Sequence, residues 1–235
     1  MPGDLDMPKP IEKHPTLREK ILENIRDAII SGSLKEGCKV SEPELAERFG
    51  ISRTPIREAF RQLESEGYLT VIPRRGAVVS EFNLKEVEDF YAIKSILEGY
   101  AAQRACQRLT DKELERLHSI NARLGELAAA NDVKGFFKLH DEFHAVFINA
   151  SDNEKLKEMI YSLITRFQRL RHMSLSLPGR MAVSVQEHDK ILDAFRCRDA
   201  EAASRLVQKN AEYGGRVLID GGVTATLAAE FKMGR

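Results

Sequence analysis

Three observations predict a mainly α-helical fold in two parts. Residues 41–67, SEPELAERFGISRTPIREAFRQLESEG, set apolar residues at helical spacing on both sides of a glycine. The stretch that follows, YLTVIPRRGAVVSEF, holds two β-prone runs around a Pro-Arg-Arg-Gly turn. From Asn83 to about Ile219 no further strand-like run appears, and helical periodicity continues. The expectation is an N-terminal winged helix-turn-helix followed by an all-α antiparallel bundle, since short loops between long helices force neighbours to run antiparallel. A lead-in is expected over residues 1–12, the first domain over 13–82, the bundle over 83–220 and a flexible tail over 221–235.

In chain order, the lead-in holds three prolines and little that could be buried. Leu17, Ile21, Ile25 and Ile29 then mark an amphipathic helix that stops at Ser31-Gly32. SLKEGCKV is a turn and an extended piece leading to Ser41, whose hydroxyl forms a capping-box pattern with Glu44. Leu45, Ala46 and Phe49 give the next helix its apolar side, and Gly50 supplies the left-handed residue that ends it. Ser52 is a fitting N-cap for the second helix, and Pro55 sits in its first turn. Ile56, Ala59, Phe60 and Leu63 form its buried stripe, while Arg53, Thr54, Arg57 and Arg61 occupy the other face. An Arg-rich face alone is most often solvated surface. Here the basic helix is followed by strands expected at Tyr68–Ile72 and Ala77–Phe82, whose turn carries Arg74, Arg75 and Gly76. Helix, turn, basic helix and basic-tipped hairpin together point to DNA binding.

Charge and cysteine usage narrow the setting. Lys and Arg number 36, and so do Asp and Glu, which argues against a diffuse polycation but not against a local basic patch. Between Lys13 and Ser80 there are 12 basic and 10 acidic side chains, so placement rather than net charge matters. Cys38, Cys106 and Cys197 are scattered, with no C-x-x-C, which fits a reducing compartment and neither a disulfide framework nor a zinc ribbon. With no apolar run for a signal peptide or a membrane span, a cytoplasmic setting without membrane association is expected.

From LREKILENIRDAII to RRGAVV the chain resembles the winged-helix domain of the GntR family of bacterial transcriptional regulators, most tellingly in SRTPIREA and EGYLTVIPRRGAVV. The resemblance implies operator contacts from Ser52, Arg53, Thr54 and Arg57, and a wing tip at Gly76 that enters the minor groove. Pro43 stands where many members carry an arginine, so the resemblance does not supply that arginine's contact.

In the second part, Val87, Phe90, Tyr91, Leu97 and Ala101 form the stripe of a helix capped by Ser80 or Asn83, with Lys94 and Glu98 on the same stripe. Inward charges are expensive unless paired with each other or with a ligand, and both readings fit these two. Further helices are expected near Asp111–Ala130, Asp132–Ala150, Asn153–Leu175, Arg180–Arg196 and Asp199–Leu218, with Gly214-Gly215 weakening the last or ending it early. Phe136, His140, Phe143, His144 and Phe147 share one face, and two histidines at i,i+4 converge on a point that suits a transition metal. His188, beside Ile191, Leu192 and Phe195, and Asn210, beside Ala203, Leu206, Val207 and Val217, are polar residues on apolar faces of two other helices. A lone histidine in such a place is usually a satisfied core residue, whereas three helices contributing polar groups suggest a shared site.

IKSILE, HDEFH and EHDKILDAFRCRDAEAA resemble the helical ligand-binding FCD domain found in the largest branch of the same family. The resemblance implies a divalent metal, zinc, nickel or manganese, held by His140, His144, His188 and Asn210, and a small organic acid bound by these residues with Lys94. It departs from the family pattern at three places: His140 for Asp or Asn, Asn210 for the last His, and Lys94 for the commoner Arg. The resulting expectation is a dimeric, non-enzymatic DNA-binding regulator, most simply a repressor acting on an inverted-repeat operator, with a carboxylate effector in the bundle. Two other readings are a helical-bundle metalloenzyme with a DNA-binding appendage and an architectural DNA-binding protein.

Overall fold

The computed structural model describes residues 16–73, 75–82 and 84–220. The expected lead-in and tail, Arg74 of the wing and Asn83 as a cap lie outside the described residues. The chain divides into two compact units, one holding the residues up to Glu64 with Leu69–Val79, the other Ser65–Tyr68 with the residues from Ser80 onward.

In the first unit, α1 (Leu17–Ile30) is closed by a Thr16–Glu19 capping box and buries Ile21, Leu22, Ile25 and Ile29. Leu17, expected on that stripe, is half exposed at the start of the helix, and Leu22 takes its share of the packing. The helix-turn-helix is α2 (Glu42–Phe49), a left-handed Gly50 at φ 66°, and α3 (Arg53–Ser65). Ile56, Ala59, Phe60 and Leu63 are all buried, as their spacing predicts. One expectation for α2 fails. Ser41 is the N-cap residue but makes no side-chain bond to the helix, in a first turn where Pro43 has removed one amide donor. Leu45, Ala46 and Phe49 are only half-buried, because a cleft of about 430 Å³ lined by Ile25, Leu34, Leu45 and Phe49 separates part of α2 from α1.

Three antiparallel strands complete this unit in the order β1-β3-β2: β1 (Lys39–Val40), β2 (Leu69–Ile72) and β3 (Gly76–Val79). Val40 pairs with Ala77, and Leu69 with Val79. Both hairpin strands are shorter than expected, because Tyr68 and Ser80–Phe82 lie outside the ladder; the extended piece before Ser41 supplies the third strand.

The second unit holds α4 (Leu84–Ala105), α5 (Asp111–Ala129), α6 (Val133–Ala150), α7 (Glu154–Arg166), α8 (Gln168–Ser176), α9 (Arg180–Arg196) and α10 (Ala200–Leu218). Three of its connections repeat one device. Ala130-Asn131-Asp132, Ser151-Asp152-Asn153 and Cys197-Arg198-Asp199 each place a left-handed residue before an Asp or Asn that caps the next helix by accepting a backbone N–H. Such a turn reverses the chain in three residues, which is what makes the neighbouring helices antiparallel. Arg198 adopts the left-handed conformation without glycine's freedom, and its guanidinium donates to the carbonyls of Cys106 and Leu109 at 2.9 and 2.6 Å.

The single helix expected at Asn153–Leu175 is two. Phe167 leaves helical geometry at φ −109°, ψ 25°, and its ring stacks on Phe90 at 4.6 Å between centroids. Neither Gly nor Pro marks the break; aromatic packing makes it, and α8 is thereby re-aimed so that Arg169, Leu170, Arg171 and Ser174 are buried. The glycine pair in α10 does not end the helix either. A Cβ on Gly215 would lie 2.8 Å from the Cβ of Tyr91, and one on Gly214 would lie 3.0 Å from its ring, so both serve the close approach of α4 and α10. The core between the helices is built from Leu117, Leu124, Phe136, Phe143, Phe147, Ile191 and Phe195. No helix among the described residues is long and apolar enough to cross a membrane.

Candidate functional site

On α3, Ser52, Arg53, Thr54, Arg57 and Arg61 are exposed, opposite the buried stripe. Arg57 is held: its Nε donates to Glu42 Oε2 at 2.7 Å, from the first turn of α2. That bond uses one of five N–H donors and leaves the outer fork of the guanidinium available to a base or a phosphate. At the wing, Arg75 is exposed and Gly76 has φ 94°. A Cβ on Gly76 would lie 2.9 Å from the Val40 carbonyl oxygen, so this position needs glycine for conformation and for room.

In the bundle, α6 and α9 bring His140, His144 and His188 together, each offering a ring nitrogen, all within 4.8 Å of one another. All three are buried, at 7, 4 and 0 % exposure. The ring of His188 stacks flat on Phe143 at 3.9 Å, and the His140 and His144 centroids are 4.5 Å apart. His140 Nδ1, both ring nitrogens of His144 and His188 Nε2 have no hydrogen-bond partner, although burying an unsatisfied polar atom costs on the order of 1–3 kcal/mol.

A hydrogen-bonded neighbour decides which nitrogen of His188 is free. Asn121 donates its amide to Asp189 Oδ1 at 2.7 Å and to the Val185 carbonyl at 3.2 Å, so its Oδ1 is left to accept from His188 Nδ1 at 3.2 Å. His188 therefore keeps a lone pair on Nε2. Glu98 Oε2 lies 3.3 Å from His144 Nδ1, where its charge attracts that edge of the ring without a hydrogen bond. Burial, then the neighbouring imidazoles, holds the pKa of His140 and of His188 well below the ordinary histidine value. Burial also lowers that of His144, with Glu98 opposing. Three neutral imidazoles with unpaired nitrogens are the donor set a divalent transition metal requires, and these residues fit one.

Around the triad stand three cations, each tied to a carboxylate. Lys94 Nζ is 2.5 Å from Glu98 Oε2, Arg171 pairs with Asp141, and Arg180 Nη1 is 3.2 Å from Glu187 Oε2. Asp141, which follows His140 in sequence, is thus engaged by Arg171 and takes no part in the triad. Burial works against the charge on Glu98, but Lys94 and His144 outweigh it and hold its carboxyl well below the usual range.

Asn210 donates its amide to Glu187 Oε2 at 2.7 Å, and with Tyr91, Lys94, His140, Arg171 and Arg180 it borders a cavity of about 30 Å³. On the far side of Arg171 a second cavity of about 330 Å³ meets Glu98, Asp141, His144, Tyr161 and Gln168. On the far side of Arg180 a third, of about 490 Å³, meets Pro178, Val183, Tyr213 and Arg216. The histidines, Lys94 and Asn210 are legible in the sequence as site residues, whereas Asn121, Arg171, Arg180 and Glu187 are not. Their only signal was position: Arg171 lies after an unsignalled helix break, and Asn121 is a polar residue on the inward face of α5, where Leu117 and Leu124 are also buried.

Comparison with known proteins identifies the family of each part of the chain. The family described as bacterial regulatory proteins, gntR family, matches residues 17–79, and the FCD domain family matches residues 89–212. The chain is 26% identical over 194 residues to the HTH-type transcriptional repressor RspR of Escherichia coli (strain K12), covering 83% of this chain and 85% of that one. It is 32% identical over 145 residues to the Nta operon transcriptional regulator of Aminobacter aminovorans, covering 60% and 67% of the two chains. Among solved structures, E. coli McbR/YncC superposes with a TM-score of 0.67 at 22% identity, over 88% of this chain and 99% of that one, a likeness of fold.

Proposed function

From the premise that this chain belongs to the GntR family of bacterial regulatory proteins and carries the FCD domain, we propose that it is a homodimeric repressor whose operator binding is set by a small carboxylate held with a divalent metal in its helical bundle. That it is a DNA-binding transcriptional regulator and not an enzyme follows from the family. The finer reading is carried by one observation: three buried imidazoles with unpaired nitrogens lie within 4.8 Å of one another. An architectural protein gives such nitrogens no use. An oxidative di-metal site needs several glutamates and paired Glu-x-x-His motifs; of the two such spacings here, Asp141-x-x-His144 has its aspartate committed to Arg171 and Glu115-x-x-His118 is exposed on α5.

In this reading His140, His144 and His188 hold the ion, and Asn210 and Lys94 border the ligand it carries. When bound, the metal supplies a Lewis-acidic position for an oxygen ligand. Arg53, Arg57, Ser52 and Thr54 read the major groove of an inverted repeat, and Arg74, Arg75 and Gly76 serve the wing. The working place is the cytoplasm, with the DNA. Effector binding shifts operator affinity by the difference between its affinities for the two arrangements of the dimer. A repressor role is supported by the name of the relative RspR.

Competition with a chelator tests the metal. Wild type should bind one divalent ion per chain, and His144→Ala should bind none and lose its response to effector while still binding DNA. Asn210→His should hold the ion more tightly, because an imidazole is a stronger ligand than an amide. Wild type that takes up no metal, with Asn210→His gaining none, would overturn the metal assignment.

A further inference from the structure

The charge inventory of the bundle site specifies its ligand more closely. Each of the pairs Lys94–Glu98, Arg171–Asp141 and Arg180–Glu187 sums to zero, whichever partner holds the proton. An imidazole that ligates a metal is neutral, so His140, His144 and His188 add no charge of their own. The site is therefore balanced by itself, and a divalent ion in the triad leaves two positive charges buried without a counterion. Uncompensated buried charge is strongly disfavoured. A monocarboxylate cancels half of it, whereas a dianion cancels all.

Hydrogen-bonding capacity then says where a second anionic group goes. Of the three cations, Arg180 is the one with a buried nitrogen that has no partner at all. Its Nη1 serves Glu187 at 3.2 Å, its Nη2 reaches the Asn210 carbonyl only at 3.5 Å, and its Nε has no partner. It is 5 % exposed, and its guanidinium lies over the Tyr213 ring at 4.9 Å. Arg180 and His140 border the same cavity of about 30 Å³. That is roughly twice the space one water needs, so it admits a carboxylate group but not a whole organic acid. Arg180 is also a wall of the cavity of about 490 Å³ beside it, which has the size of a small-molecule site. Arg180 is the residue that the two cavities share.

Resting on the metal-carboxylate reading above, we infer that the effector is a small dicarboxylate, one carboxylate on the metal beside His140 and the other on Arg180, which sets the preference for two charges over one. The test is calorimetry on the full-length zinc-loaded protein with malonate and succinate against acetate and propionate, and with inorganic phosphate as a compact dianion. Arg180→Lys is the informative variant, because it preserves the charge facing Glu187 while removing the Nε donor and the fork. The thermal midpoint of the variant controls for folding.

A dicarboxylate should bind at least tenfold more tightly than the monocarboxylate of equal length and than phosphate. In Arg180→Lys that preference should fall about tenfold, with zinc and monocarboxylate affinities unchanged within about twofold. Equal binding of mono- and dicarboxylates, tighter binding of phosphate, or an undiminished preference in Arg180→Lys overturns the inference and leaves the metal-carboxylate reading standing. If the zinc-loaded protein binds none of the acids, that reading falls and this inference with it.

Discussion

One oxygen of Glu98 faces both Lys94 and His144: Oε2 lies 2.5 Å from the Lys94 ammonium and 3.3 Å from His144 Nδ1, and all three residues are buried. A single carboxylate thus neutralises a buried cation and attracts a ring of the histidine triad. Glu98→Ala should cost about 3–5 kcal/mol, because it leaves Lys94 buried without a counterion. Glu98→Ala with Lys94→Met should recover most of that stability without restoring metal affinity. Urea denaturation and chelator competition on the same proteins separate the two roles; a double variant as unstable as the single one would refute the pairing argument.

Orientation of the second ring rests on Asn121. Asn121→Ala should lower metal affinity about 10–100-fold, the usual consequence of losing the group that fixes a ligating histidine. Unchanged affinity in the chelator assay would mean that Phe143, stacked on His188, suffices to hold the ring.

Stability of the metal-free protein should depend on pH. His140 and His188 are held well below the value of 6.5 that they regain on unfolding. Below that pH the unfolded chain takes up protons that the folded chain refuses. Stability is therefore full above pH 6.5 and is lost as pH falls from there toward the folded-state values, by about 1.4 kcal/mol per pH unit for each histidine. Denaturant midpoints measured in the presence of a chelator should fall accordingly, and His188→Phe should flatten the slope. A midpoint that is constant between pH 7 and 5 would contradict this, taking that range as roughly spanning the histidine titration.

At the DNA-facing helix, Arg57→Ala should weaken specific binding by about 1–3 kcal/mol without unfolding the domain, the range for a lost base contact. Arg75→Ala should weaken binding to all sequences alike and flatten the salt dependence. An operator footprint unchanged in Arg57→Ala at constant salt would remove α3 from the recognition role.

Assembly has its own marker. Ile93, Ile96 and Tyr100 lie along one face of α4 at 50, 65 and 44 % exposure, more apolar surface than a lone helix face gains by facing water. If this face is where the copies meet, Ile96→Asp should turn a dimer in sedimentation into a monomer and weaken operator binding by losing the linkage of two half-sites. A wild-type monomer that still binds its operator tightly would exclude the dimer.

The helices were readable because each stripe follows the helical repeat, and the histidine pair because i,i+4 spacing forces convergence. What escaped was set by partners distant in sequence. Phe167 breaks a helix to stack on Phe90, which no local residue announces. Gly214 and Gly215 have the composition of a breaker but act through the ring of Tyr91. Arg171 and Arg180 look like surface cations until Asp141 and Glu187 are seen beside them. Ser41 has the capping pattern and makes no cap bond.

The three neutralised pairs also constrain how this protein can change over generations. Arg171–Asp141 joins α8 to α6, whereas Lys94–Glu98 and Arg180–Glu187 each lie within a single helix. Replacing Lys94, Glu98, Asp141 or Glu187 strands its partner as a buried charge, so single substitutions at these positions pass through a destabilised intermediate. New specificity is reached most easily by paired changes, or first at Asn210, the neutral residue among them. An amide at that position can be exchanged for another side chain without leaving an unmatched charge, which makes it the residue at which the family's ligand chemistry can drift.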